Sequence, residues 1–331
     1  MSRRFVPIIG AVAAVIAVAT LAPRSMAGQS PSKTSTPLLT PDNHSNLEGI
    51  WTNATVTPLE RPRELAGKEF LTEAEAAEHE KQARERNNGD RRDRDNIDND
   101  LAVGYNDIWW DRGTKVVASR RTSLIVDPAD GRIPPLTPEA QRKADARAEA
   151  RRLHPSDGPE DRSLDDRCIK RGTSGPPMLQ AGYNNNYQIV QTPQHLAIVT
   201  EMIHETRIIP MDGSPHGNVR QLLGDSRGRW EGKTLVVETT NLTDKTNFRG
   251  SGENLRVIER FTRVDEDTLL YRFTVDDPQS FTKPWSAEIS WKRIEGPVYE
   301  YACHEGNYSM ANTLRNARAA EKAGQSARQE P

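Results

Sequence analysis

The stretch LRVIERFTRVDEDTLLYRFTVDD, residues 255–277, decides the fold. Its apolar residues recur at every second position, Leu255, Val257 and Phe261 before the turn and Leu269, Tyr271, Phe273 and Val275 after it. Side chains alternate faces along a strand, so a period of two puts each set on one side of a sheet. DED, residues 265–267, is the turn between them. Both sets face one core if the connection between them is of odd length, for instance one in which Phe261 lies opposite Tyr271 and Glu259 opposite Phe273. That register places Glu259 on the apolar face. The next run, WSAEISWKR (285–293), alternates more cleanly, with Trp285, Ala287, Ile289 and Trp291 inward.

Working outward, similar runs occur at YQIVQ, LAIVTEMIHETRII, TLVVETTNL and VYEYACHE, with earlier candidates at GIWTNATV and RTSLIVD. Short turn signals separate them, and no helix between them is long enough to cover a parallel sheet. The expected fold is a single antiparallel up-and-down β-barrel. GDSRGRWEGK reads as a turn leading into a strand. LAIVTEMIHETRII reads as one strand, with His204 on the less charged face beside Leu196, Ile198, Thr200 and Met202, and Arg207 on the other.

Charged residues make up 28% of the chain and hydrophobic ones 35%, but the charge is concentrated in two insertions, about 70–100 and 137–167. Each opens with a helix cap: Thr72 with Glu75 three residues on, and Thr137 before Pro138. Neither helix has an apolar face wide enough for a core. Residues 91–100 read as a solvated charge run. The barrel domain is expected over 48–308, with a helix and tail at 309–331.

The N-terminus reads as an export signal: MSRR, an apolar run, then small residues at Ser25 and Ala27, with cleavage expected before Gly28 and a flexible linker over 28–47. Cleavage removes Arg3, Arg4 and Arg24 and no acid, taking the formal charge from -2 to -5. That balance gives no pull toward nucleic acid or an anionic membrane. No stable membrane insertion is expected after cleavage, and the mature protein is expected in the periplasm or secreted. In an oxidising compartment the two cysteines, Cys168 and Cys303, are expected to form a disulfide tying a middle loop to the last strand.

No phosphate loop, nucleophile elbow or nucleotide fingerprint is present, and the histidines show no metal-ligand spacing, so no cofactor or metal is expected. The inward ionisable groups suggest an acid–base set of His204 and Glu259, with Tyr271 as a hydroxyl donor. Clusters that mix rings with polar groups, GYNDIWWDRG, GYNNNYQ and NLTDKTNFRG, suggest pocket walls. The ligand-binding candidates are Trp109, Trp110, Tyr183, Arg207, Asp244 and Lys245. In an extended chain at most one of Trp109 and Trp110 can face a cavity.

The segments RWEGKTLVVETTNLTDKTNF, ERFTRVDEDTLLYRFTVDDPQSFTKPW and HETRIIPMDGSPH resemble a large family of exported bacterial proteins of unassigned function, over roughly residues 47–307. The resemblance implies export and carries no reaction. It would put a histidine near the position where this chain has Asp225. GIW, residues 49–51, is similar to the Gly-x-Trp start of lipocalins, which implies a closed barrel holding one small apolar molecule. The function expected is enclosure of a small apolar or aromatic molecule. A cofactor-free acid–base enzyme (lyase, isomerase or hydrolase) and an envelope interaction protein are the alternatives.

Overall fold

The computed structural model describes residues 38–91, 106–246 and 248–329. The proposed signal and its cleavage site, and most of the charge run at 91–100, lie outside them. Among the described residues ten strands form one antiparallel sheet: β1 (Gly49–Thr52), β2 (Ile125–Asp127), β3 (Asn186–Gln191), β4 (His195–Thr200), β5 (Thr206–Pro210), β6 (Asp225–Glu231), β7 (Thr234–Thr240), β8 (Arg256–Arg263), β9 (Thr268–Asp276) and β10 (Trp285–Arg293). Nine of them run in the order β5-β4-β3-β1-β10-β9-β8-β7-β6, and β2 pairs beside β10. The sheet curls into a nearly closed barrel.

The expected register of β8 against β9 is the one found: Phe261 pairs with Tyr271 and Glu259 with Phe273. Trp285, Ala287, Ile289 and Trp291 of β10 are all fully buried. Rings fill the interior: Tyr187 stacks on Trp291 at 4.6 Å between centroids, and Tyr271 lies 5.0 Å from both Phe261 and Trp291. Such contacts add about 0.5–1.5 kcal/mol per pair beyond the area they bury.

The sheet's two ends, β5 and β6, meet through side chains. Arg207 Nη2 on β5 donates to Ser226 Oγ on β6 at 3.1 Å. Farther along, Gly228 of β6 leaves room for Ile209 and Met211, since a Cβ there would sit 2.2 Å from the Met211 sulfur.

Three sequence expectations need correction. GDSRGRWEGK is mostly strand: β6 runs to Glu231, and only Gly232 and Lys233 turn. VYEYACHE forms no strand; Cys303 sits in a loop, so the disulfide ties two loops together. LAIVTEMIHETRII is two strands, because the chain reverses between Thr200 and Thr206 and pairs Val199 with Thr206 and Ile198 with Arg207. Ile203 and His204 take positive φ values of 59° and 42° to make that reversal. Histidine visits that region more often than most residues but β-branched isoleucine is disfavoured there, and no Gly, Asn or Asp marks the turn, so the reversal is poorly signalled in the sequence.

The polar insertions carry α1 (Glu73–Asn87) and α2 (Pro138–Leu153). Thr72 caps α1 by accepting from the Glu75 amide at 3.2 Å, while Glu75 accepts from the Thr72 amide at 2.9 Å. Thr137 caps α2 through the Ala140 amide. α3 (Ser309–Gln329) follows the last loop, as expected. No helix among the described residues is long and apolar enough to cross a membrane. The stretch 38–47, read as linker, is built onto the barrel: Leu47 is fully buried and Ser45 Oγ donates to the Lys233 carbonyl at 2.7 Å.

Candidate functional site

Glu259 lies inside the barrel, fully buried, where the alternation of β8 places it. Its partner is Arg207. The guanidinium donates twice to the carboxylate, Nη1 to Oε1 at 3.0 Å and Nη2 to Oε2 at 2.6 Å. Nη2 also reaches Thr239 Oγ1 at 3.3 Å, and the Ser226 and Thr239 hydroxyls bond each other at 2.8 Å. Tyr271 donates to Glu259 Oε1 at 2.8 Å and accepts from the Met178 amide at 3.0 Å. A buried charge is stable only when paired and hydrogen-bonded, and this network does both. Burial lowers the Arg207 pKa, but the charge and hydrogen bonds of Glu259, with smaller contributions from Tyr271 and Glu205, together raise it above its ordinary value. Burial also holds the Tyr271 phenol well above its ordinary range.

His204 does not join this set. The positive-φ turn shifts the face alternation by the time the chain reaches β5, so Arg207 points inward and His204 is exposed on the reversal. The pairing of His204 with Glu259 is therefore corrected: the acid expected to face a base faces a permanent cation. Tyr271 does meet Glu259.

Above Tyr271, residues 163–185 close this end of the barrel, their own Met178 and Leu179 buried on its inner side. Cys168 and Cys303 are disulfide-bonded across 135 residues, anchoring the plug to the C-terminal segment. Lys170 is buried within it and donates to the carbonyls of Gly175 and, at 3.4 Å, Arg171. Burial pulls the Lys170 pKa down to about 8, opposed by the nearby Glu205 carboxylate. Burial raises the Glu205 pKa, and Ser174 bonds that carboxylate.

The ligand-binding candidates separate. Trp110 and Tyr183 come together edge to face at 5.9 Å, with the Arg112 guanidinium 3.9 Å from the Trp110 ring. Gly182 permits this, since a Cβ there would lie 3.0 Å from the ring. Trp109 is exposed, so one of the two tryptophans does face a cavity. Arg207 is sealed in the network above. Asp244 and Lys245 are exposed on a short helical turn and stand at other surface hollows.

A larger cleft went unnoticed in the sequence. It lies over the β5–β6 seam at the other end of the barrel, with a volume of about 790 Å³. Residues 39–48 form one wall; the β3–β4 turn at Thr192 and Pro193, Met211, and Trp230 of β6 form the rest. His44 stacks on Trp230 at 4.7 Å with the rings only 4° from parallel. Reading β6 as a strand would have drawn attention to Trp230. Nothing local marks His44, which arrives from a segment read as linker.

No family model and no curated protein matches the chain. Among solved structures, a secretary abundant heat soluble (SAHS) protein from Ramazzottius varieornatus overlaps 40% of this chain and 87% of its own, at 14% identity and a TM-score of 0.23. So partial an overlap adds nothing to the site, and the fold stands on its own strand pairing. Fold and geometry together define an antiparallel β-barrel with a ring-filled centre, a disulfide-anchored plug at one end and an open cleft at the other.

Proposed function

We propose that this is an exported barrel protein that binds a small apolar or aromatic molecule in the Trp230 cleft. The observation that carries the reading is the His44–Trp230 stack within a cleft of about 790 Å³. Ligand sites of this size combine apolar surface with a few directional polar groups. Here Leu39, Pro41, Pro193 and Met211 supply the apolar surface, and Thr40, Asp42, Glu48 and Arg229 supply polar groups. A flat ring can slide against Trp230 by displacing the His44 imidazole, which exchanges one stacking partner for another. The Cys168–Cys303 disulfide supports an oxidising compartment and with it the export reading.

Arg207 supports this reading over acid–base catalysis. It occupies the place a substrate would need beside Glu259, and guanidinium does not give up its proton. The test is mass spectrometry of small molecules extracted from protein purified under native conditions from an exporting host. An aromatic or apolar compound retained by the native protein and lost from Trp230→Ala is the expected result. Equal retention by both proteins would place the ligand elsewhere.

A further inference from the structure

A second cavity, of about 330 Å³, lies at the plugged end, where residues 162–183 meet the C-terminal segment. It is far along the barrel from the Trp230 cleft: Tyr183 precedes the start of β3, while Gln191 at the end of that strand lines the cleft. Tyr183 and Tyr301 stand side by side in its wall, rings 13° from parallel with centroids 6.3 Å apart. Arg171 Nη1 donates to the Tyr183 hydroxyl at 3.0 Å, and its guanidinium lies 5.2 Å from that ring. Asn307 and Thr313 line the remaining wall, and Asn307 donates to the Cys168 sulfur at 3.3 Å. Both halves of the cavity are held: the disulfide ties one loop to the other, and Arg318 of α3 donates to the carbonyls of Asp157 and Ser156 at 2.7 and 3.0 Å.

The charges around this cavity cancel. Arg162 pairs with Asp166 at 3.0 Å and Arg171 with Asp165 at 3.6 Å, two cations against two anions. No sign of charge is left over to attract an ionic ligand. What remains is a wall of donors and acceptors in fixed directions beside two phenol rings. Burial and the Tyr183 hydroxyl push the Tyr301 pKa up to about 12, so its hydroxyl keeps its proton at neutral pH.

We propose that this cavity binds a neutral hexopyranose ring. The chemistry matches on each side. Sugar hydroxyls donate to the Asp165 carboxylate and accept from Arg171 and Asn307, which are directional contacts to charged and amide groups. The axial C–H face of the ring provides apolar surface that packs against a phenol, as an alkane would not match the polar walls and a flat arene would leave them unsatisfied. The site is independent of the Trp230 cleft and selects the opposite kind of molecule.

Saturation-transfer difference NMR tests this with D-glucose, D-galactose and D-mannose and with their methyl glycosides. At least one hexose should show transfer to its ring protons. Transfer to methyl glycosides as well points to the end of a glycan, and transfer to the free sugars alone points to a free monosaccharide. Tyr301→Phe, which removes only a hydroxyl, should weaken binding about five- to tenfold. Met310→Trp fills the cavity from the half-buried first turn of α3 and should abolish transfer with the circular dichroism spectrum unchanged. Trp230→Ala should leave it intact. The proposal is overturned if no hexose shows transfer, if transfer survives Met310→Trp, or if an anionic probe such as inositol hexakisphosphate displaces the sugar.

Discussion

Arg207 on β5 and Glu259 on β8 join their side chains across the barrel interior through two hydrogen bonds of 3.0 and 2.6 Å. Between them in sheet order stand five other strands, β4, β3, β1, β10 and β9, so the pair ties the terminal strand β5 to the far side of the barrel, past the β5–β6 gap that backbone hydrogen bonds leave open. Glu259→Gln leaves the guanidinium charged, buried and without its anion. That should cost about 3–5 kcal/mol, read as a lower urea midpoint. Replacing both groups, Arg207→Met with Glu259→Leu, should recover most of the loss, because the desolvation of both charges disappears with them. A double variant as unstable as the single one would show that the pair does more than hold the seam.

The buried lysine of the plug gives stability a distinct pH dependence. Lys170 titrates at about 8 when folded and near its ordinary 10.5 when unfolded. Between those values the unfolded chain holds the extra proton, so stability rises as pH climbs from about 8 toward 10.5. Burial works the other way on phenols: Tyr187 is held well above its ordinary range and Tyr301 is raised to about 12. Above pH 10 the unfolded tyrosines lose protons first, and stability falls. Urea midpoints measured from pH 7 to 11 should therefore pass through a maximum between about 9 and 10. In Lys170→Met the rise from pH 8 should vanish while the fall above 10 remains.

The disulfide closes a loop of 135 residues. In the chain-entropy model so long a loop contributes about 4–5 kcal/mol. Cys168→Ser with Cys303→Ser should lower the denaturation midpoint accordingly. It should also expose residues 163–185 to limited proteolysis, since the plug then loses its covalent tie and keeps only non-covalent contacts such as those of Met178 with Tyr271, Ser174 with Glu205 and Gln180 with the Thr55 and Thr57 carbonyls. Unchanged proteolysis would mean that the plug is held by packing alone.

The barrel was legible wherever alternation was clean and turns were marked. β8, β9 and β10 carry their register in the positions of Phe261, Tyr271 and the two tryptophans of β10, and the capping threonines announced α1 and α2. The interior polar network was half legible. Glu259 and Tyr271 fell inside by parity, but Arg207 was assigned to the wrong face because an unmarked reversal at Ile203 and His204 resets the alternation. Trp110 and Tyr183 were found by composition, since rings among amides suit a cavity wall. The Trp230 cleft was hidden because its two rings come from segments 186 residues apart in the chain, one read as linker and the other as turn.

That reversal can be probed directly. His204 has φ of 42° with its side chain exposed, so His204→Gly relieves a conformation that costs a non-glycine residue roughly 1 kcal/mol and removes no buried contact. Thermal midpoints should rise slightly or hold. A gain of less than the flexibility penalty of glycine would appear as no change, whereas a loss beyond about 1 kcal/mol would show that the imidazole makes a contact the turn depends on. His204→Gln should be neutral.

The central claim is that a small aromatic molecule binds against Trp230, and the histidine carbon-bound protons report on it most directly. His44 stacks on Trp230 at 4.7 Å, so a ligand entering the cleft must change the ring current at His44. Titration with 2-naphthol, with the His44 signals assigned by His44→Gln, should shift those signals saturably while His204 stays in place, and Trp230→Ala should abolish the shift. A His44 signal that does not move while 2-naphthol binds, or that moves equally in Trp230→Ala, would contradict the account.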